Sequence, residues 1–107
     1  MNSLIDGSRL DNWIGGQRCA PRSGSYLPSV APAFAEPWIE IPASDARDVD
    51  DAVAAACAAY RDGWRTTAAM TRAALLRALA AEVTAHAEEL ATIECRDNGK
   101  PLSLIHI

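Results

Sequence analysis

The second part of the chain carries apolar residues at helical spacing. From Ser44 onwards they recur every three or four residues, which places them on one helix face. This first stripe comprises Val49, Val53, Ala56, Cys57, Tyr60 and Trp64. Asp45 can cap the helix, Asp48 places negative charge in its first turn, and Gly63 ends or loosens it. The pattern predicts a helix over 45–63.

Two further helices are predicted, over 67–84 and 87–97. The first begins at Thr66 or Thr67, and its apolar stripe is Leu75, Leu76, Leu79 and Val83. The pattern breaks around His86, and the acidic pair that follows is typical of a helix's first turn. Asn98-Gly99, followed by Pro101, indicates where the third helix stops.

Residues 12–42 carry the signature of short β-strands. The Gly15-Gly16 pair lies between two extended pieces and predicts a two-residue hairpin. A strand over 26–30 follows a turn, and its Pro28 restricts it to the edge of a sheet. These pieces are too few to form a sheet with both faces covered. Residues 1–11 are predicted to be an N-terminal extension.

Composition narrows the class of protein. A net charge of −4 and a pI near 5.0 argue against a nucleic-acid partner or an anionic membrane surface. No apolar run approaches the roughly 20 residues that span a bilayer, and the start does not resemble a signal peptide. Three widely spaced cysteines without a C-x-x-C pair favour reduced thiols and therefore a cytoplasmic location.

The sequence shows no active site of its own. It contains neither a G-x-G-x-x-G motif nor a P-loop that would cradle phosphates. Cys57 is predicted to be a small buried apolar side chain, whereas Cys95 lies near a helix C-terminus, where a thiolate is disfavoured. Cys19 has no histidine near it in sequence, and His86 is interpreted as a polar residue at a helix junction. We therefore predict no catalytic and no cofactor-binding residue in this chain.

The order of these segments is nevertheless distinctive. The segments are WIGGQR, YLPSVAPAFAE, IEIPASDARDVDDAVAAACAAY, GWRTTAAMTRAALLRALAAEV and HAEELATIECRDNGKP. Together they resemble the amino-terminal region of the aldehyde dehydrogenase superfamily over residues 12–101. One departure concerns the family's NPATGE-like turn, which here reads APAFAE. Ala35 stands where the family has the turn glycine, so the usual turn geometry is not expected.

The resemblance implies a fold class and an activity. The parent fold would be α/β, with a Rossmann-like coenzyme-binding domain to which residues 12–101 contribute a β-hairpin region and two or three amphipathic helices. The parent enzyme would oxidise an aldehyde to a carboxylic acid with NAD or NADP, as a homo-oligomer. The family's catalytic cysteine, glutamate, asparagine and coenzyme lysine would all follow Pro101. The alternative is a standalone helical protein-interaction module without catalytic activity.

The resemblance also implies one binding role. Several relatives hold a structural monovalent cation, and the matching positions here are the Ser29 and Val30 carbonyls with the Asp97 carboxylate. Such hard oxygen ligands suit K⁺ or Na⁺. The alternative is that Asp97 caps local amides beside Asn98 and Gly99.

The last six residues, LSLIHI, do not continue the family pattern. With one permitted choice of codons they read CTG TCT CTT ATA CAC ATC, the sequence of a transposase adapter used for DNA libraries. Residues 102–107 are therefore expected to be a non-native tail, and the alternative is a genuine apolar terminus. We also expect the 107-residue chain to be inactive and marginally folded, because its helix stripes resemble ones that pack on a sheet it lacks.

Overall fold

The computed structural model describes residues 7–101 and 103. Most of the predicted tail and the first six residues of the predicted extension lie outside that part of the chain. The described elements are β1 (Asn12–Ile14), β2 (Gln17–Cys19), β3 (Tyr26–Ala31), β4 (Glu36–Pro42), α1 (Ala46–Asp62), α2 (Ala69–Ala85) and α3 (Ala87–Asn98). A 3₁₀ turn, Trp64–Thr66, joins α1 to α2.

The β1–β2 hairpin forms where the glycine pair predicts it. Gly15 and Gly16 have φ values of 60° and 78°, the positive pair that a tight two-residue hairpin requires. The strands pair antiparallel from Asn12 opposite Cys19 to Ile14 opposite Gln17. The hairpin lies on α1, since β1 contacts that helix.

Strands β3 and β4 form a second antiparallel pair, which a preceding segment extends. The register runs from Tyr26 opposite Pro42 to Ala31 opposite Glu36. On the other side of β4, Arg9 pairs in parallel with Glu40, whose amide and carbonyl hydrogen bond to the segment before β1. In the described part of the chain β3 is therefore an edge strand, as its proline predicts.

The turn between β3 and β4 keeps a left-handed residue without a glycine. Ala35 has φ 55°, and it is the one non-glycine residue with positive φ among those the structure describes. Its amide donates to the Ala31 carbonyl at 2.9 Å, which closes the turn. An alanine thus adopts a backbone conformation that is strained for any residue with a Cβ.

Helix α1 begins with a reciprocal cap. The Asp45 carboxylate accepts from the Arg47 amide, and the Asp48 carboxylate accepts from the Asp45 amide, each at 2.8 Å. Asp48 is only 5% exposed and also accepts from the Arg22 amide at 2.9 Å. The first turn of α1 is thereby tied to the turn that precedes β3.

Helix α2 begins at Ala69, two residues later than the predicted start at 67. The reason is local: the Thr66 and Thr67 hydroxyls both donate to the Gly63 carbonyl, at 3.1 and 3.0 Å, and this supports a 3₁₀ turn. Thr67 then has extended backbone angles, so the helix cannot start before it. His86 separates α2 from α3, at the predicted junction.

The buried apolar residues lie where α3 meets the β3–β4 pair: Ala31, Ile39 and Ala91. The large apolar side chains of the two predicted stripes are instead exposed. These are Val49, Val53, Tyr60, Trp64, Leu75, Leu76, Leu79 and Val83. Cys57 is also exposed, so the prediction that it is buried is wrong for this chain. The β1–β2 hairpin borders α1 at Val49 and Ala52, and no described residue buries Cys57.

Candidate functional site

The predicted cation ligands fall where α3 meets β3. Asp97, next to the last residue of α3, lies against two side chains from the sheet. Its Oδ1 accepts a short hydrogen bond from the Ser29 hydroxyl and one of 3.3 Å from the indole Nε1 of Trp38. The structure thus brings Ser29 and Asp97 into contact across 68 positions of sequence.

The surroundings of Asp97 combine a helix C-terminus with two neutral hydrogen-bond donors. The carboxylate lies in the last turn of a helix, where the macrodipole is negative. Within residues 7–101 no Lys, Arg or His forms an ion pair with it; the neighbouring Arg96 instead places its guanidinium 4.8 Å from the centroid of the Trp38 ring. Two neutral donors therefore hold this carboxylate, without an opposite charge.

The backbone of β3 is irregular at the other two predicted ligands. The register with β4 shifts between Ser29 and Val30, and such a bulge interrupts the ladder. Val30 is paired with Pro37, which has no amide hydrogen to donate. The Ser29 and Val30 carbonyls thus lie on either side of an irregularity in the ladder. Carbonyl and carboxylate oxygens are the hard ligands that Na⁺ and K⁺ take, so the donor set fits such an ion.

The local amide that Asp97 was alternatively expected to cap is capped by its neighbour, Asn98. Asn98 Oδ1 accepts from the Lys100 amide at 2.7 Å, and Asn98 Nδ2 donates to Glu94 at 3.2 Å. The hydrogen bonds of Asp97 go to the sheet.

Gly99 allows the end of α3 to approach the residue that follows β3. It follows α3 with φ 75°, and a Cβ placed on it would lie 3.2 Å from the Cβ of Pro32. Glycine is therefore needed both for the left-handed backbone and for the close approach to the end of β3.

A cleft of about 610 Å³ separates β4 from α3. Apolar side chains line much of it, including Trp38, Ile39, Ile41 and Ile93. Within the described residues no group of three or more His, Cys, Asp or Glu side chains could hold a metal ion. The cleft therefore offers packing surface rather than a set of reactive groups.

Sequence reasoning missed Trp38 and Arg96 as neighbours of the candidate site. Both look ordinary in sequence, since Trp38 belongs to an alternating strand and Arg96 to the last turn of a helix. The fold alone brings them together. No helix within residues 7–101 is both long enough and apolar enough to cross a membrane.

The comparison with known families decides the assignment. Residues 19–106 match the family model described as "Aldehyde dehydrogenase family". The chain belongs to the aldehyde dehydrogenase family. The match begins in β2 and takes in every later element of the structure, including the corner around Asp97.

Individual members of the family support the same assignment. The fluoroacetaldehyde dehydrogenase of Streptantibioticus cattleyicolor is 45% identical over 94 residues, which cover 88% of this chain and 18% of that protein. A crystal structure of an NAD-dependent aldehyde dehydrogenase from Sinorhizobium meliloti superposes with a TM-score of 0.84 at 35% identity, covering 90% of this chain and 20% of that one.

A third comparison comes from a structure with bound coenzyme. The betaine aldehyde dehydrogenase of Staphylococcus aureus, a point mutant solved in complex with NAD⁺, superposes with a TM-score of 0.82 at 28% identity. The match covers 87% of this chain and 19% of that protein. The chain thus spans no more than about a fifth of the length of these relatives. None of these comparisons supports a standalone interaction module.

Proposed function

We propose that this chain is the amino-terminal, non-catalytic part of an NAD(P)-dependent aldehyde dehydrogenase that oxidises an aldehyde to a carboxylic acid. The observation that carries the proposal is the family match over residues 19–106. The names of the relatives point to aldehyde substrates, and the NAD⁺ complex of the S. aureus relative supports a nicotinamide coenzyme. Which aldehyde is oxidised would depend on parts of the protein outside this chain.

Within that enzyme, residues 12–101 would serve as scaffold for a Rossmann-like coenzyme-binding domain. The exposed apolar stripes of α1 and α2 support this role, because they offer a large surface on which further chain can pack. The proposal includes a cytoplasmic, homo-oligomeric parent enzyme. It gives the residues of this chain no contact with aldehyde or coenzyme.

The test is to clone the genomic reading frame that contains residues 1–101 and to express the whole product. We expect it to reduce NAD⁺ or NADP⁺ only when an aldehyde from a panel of aliphatic, aromatic and betaine-type substrates is present. The 107-residue chain, assayed in parallel, should produce no reduced coenzyme. A folded full-length product that reduces neither coenzyme with any aldehyde would contradict the proposal.

We also propose that the Ser29 and Val30 carbonyls and the Asp97 carboxylate contribute ligands to a monovalent cation, K⁺ or Na⁺, in the longer protein. The interrupted ladder at the first two residues supports this site, as does the third residue's lack of an ion pair within residues 7–101. The cation would supply an opposite charge for the Asp97 carboxylate at the C-terminal end of α3, where the Arg96 guanidinium lies over the Trp38 ring instead. Asp97→Ala should abolish the stabilisation of the longer protein by K⁺.

A further inference from the structure

Two side chains beside Asp97 have no role in the cation site described so far. We infer that Ser29, through its hydroxyl, and Trp38, through its indole, are positioning residues that fix one oxygen of Asp97 and leave the other for the cation. This inference rests on the cation site proposed above. It concerns which oxygen of the Asp97 carboxylate faces the cation, and the list of ligands alone does not determine this.

The hydrogen bonds at Asp97 are one-sided. The Ser29 and Trp38 donors both end on Oδ1, and the part of the chain that the structure describes sends no donor to Oδ2. An ionised carboxylate has about four lone-pair sites on its two oxygens, so two donors on one oxygen leave the second oxygen open. Oδ2 is therefore the oxygen available to a cation.

The two donors are themselves held in place. The Arg96 guanidinium covers the Trp38 ring. Trp38 also immediately precedes Ile39 on β4, and Ile39 is only 4% exposed. Ser29 lies on the neighbouring strand at the register shift. The donors thus come from β3 and β4 while the carboxylate comes from α3. A carboxylate fixed from two other elements loses little freedom when an ion binds.

The charge at this corner also indicates the class of ion. One carboxylate and two neutral carbonyls carry a single negative charge, and a divalent ion such as Ca²⁺ ordinarily takes several charged oxygens. The arrangement therefore favours K⁺ or Na⁺ over a divalent cation.

The experiment uses the full-length protein and its variants Ser29→Ala, Ser29→Thr and Trp38→Phe. Thermal unfolding is followed while KCl replaces choline chloride at constant ionic strength, so that the K⁺ concentration giving half of the stabilisation can be read. We expect Ser29→Ala and Trp38→Phe each to raise that concentration roughly tenfold, as loss of a group that orients a ligand commonly does. Ser29→Thr keeps the hydroxyl and should stay close to the parent.

The matched control for the indole is Trp13→Phe. Trp13 is 69% exposed on the β1–β2 hairpin, so its replacement should leave the K⁺ response unchanged. MgCl₂ in place of KCl, at matched ionic strength, should not stabilise the parent.

Three results would overturn the inference. One is a parent protein whose unfolding temperature does not respond to K⁺. Another is a pair of variants that unfold earlier in both salts with an unchanged K⁺ midpoint, which would reduce Ser29 and Trp38 to structural contacts. The third is a Ser29→Thr protein as impaired as Ser29→Ala. Aldehyde oxidation measured on the same preparation separates the proposals: a protein that oxidises aldehydes without a K⁺ response contradicts the cation site and this inference, and leaves the proposed enzyme activity standing.

Discussion

Two regions of this molecule use similar apolar residues with opposite results. In the β3–β4–α3 corner, formed by those three elements, Ile39 is 4% exposed and Ala91 is 8% exposed. On α1 and α2, residues of the same chemical type remain open, with Val49 at 58% and Leu76 at 60% exposure. Helix α2 has no buried side chain among its 17 residues.

The contrast separates local structure from packing. A side-chain cap on α1 and the alanine content of both helices favour α1 and α2 as helices without burial. Burial requires a partner surface, which the corner supplies for Ile39 and Ala91 and which the apolar stripes of α1 and α2 do not find within residues 7–101. The corner should therefore account for most of the cooperative stability of the 107-residue chain, and the helix stripes for little of it. The following substitutions test this difference, in order of decreasing expected effect.

Ile39→Ala should have the largest effect. Removing a buried aliphatic side chain costs about 2–5 kcal/mol, which is comparable with the whole stability of a small domain. The urea transition of the 107-residue chain, followed by circular dichroism, should lose its cooperative part. Leu76→Ala on α2 is the control and should change the free energy of unfolding by less than about 0.5 kcal/mol. Equal losses from the two substitutions would refute the contrast.

Gly99→Ala should be the next most damaging change. It imposes a left-handed backbone on alanine, at about 1–2 kcal/mol, and a close contact with Pro32, at about 1–3 kcal/mol more. Gly16→Ala is the matched control, because Gly16 has φ 78° but no atom within 4 Å of the added Cβ. The difference between the two denaturation midpoints measures the close approach itself. If the midpoints coincide, Pro32 moves aside at no measurable cost, and the contact between Gly99 and Pro32 does not constrain the fold.

Ala35→Gly should stabilise the turn of the corner. Glycine relieves the strain of the left-handed backbone at Ala35, which stabilises the folded state by about 1–2 kcal/mol. Glycine also gives the unfolded chain more conformational freedom, which offsets about 0.5–1 kcal/mol of that stabilisation. The urea midpoint should therefore rise. Ala33 lies in the same turn and its φ is not positive, so Ala33→Gly relieves no strain. It only increases the freedom of the unfolded chain and should lower the urea midpoint. A rise for both would exclude strain at Ala35 as the cause.

The smallest effect concerns pH and the cap of α1. The Arg47 side chain, and then the Arg47 amide, donate to Asp45 and hold the pKa of this carboxyl below its ordinary value of 3.8. A lowered pKa in the folded state means that the contribution is complete above pH 3.8 and is lost as pH falls through the folded value. Asp45→Asn keeps an acceptor that does not titrate, so its helical circular dichroism should change less on acidification. Superimposable acid titrations of the two proteins would show that the cap does not respond to pH.

Some features of this fold follow from short stretches of sequence and others do not. Gly15-Gly16 and the Asp45–Asp48 cap act over two to four residues, so pattern and turn chemistry predict them. The start of α2 was predicted too early, because the Thr66 and Thr67 hydroxyls that bond to Gly63 carry no distinctive signal.

The candidate site divides in the same way. The resemblance to a family points to Ser29, Val30 and Asp97, yet no local pattern shows that the indole of Trp38 reaches Asp97 from 59 positions away. Cys57 was predicted to be buried because it lies on an apolar helix face. Such a face predicts where burial is possible, and a covering surface decides whether it occurs.

The position of Pro28 on β3 has a consequence for aggregation. The amide and carbonyl of Glu40 bond to Leu10 and Ser8, so they point away from β3, and Pro28, paired with Glu40, directs its nitrogen towards the outer edge. At that point an incoming strand of another molecule would find no amide hydrogen to pair with. The exposed edge of the sheet is thus a poor template for amyloid-like growth, although the strand that forms it is open along one side.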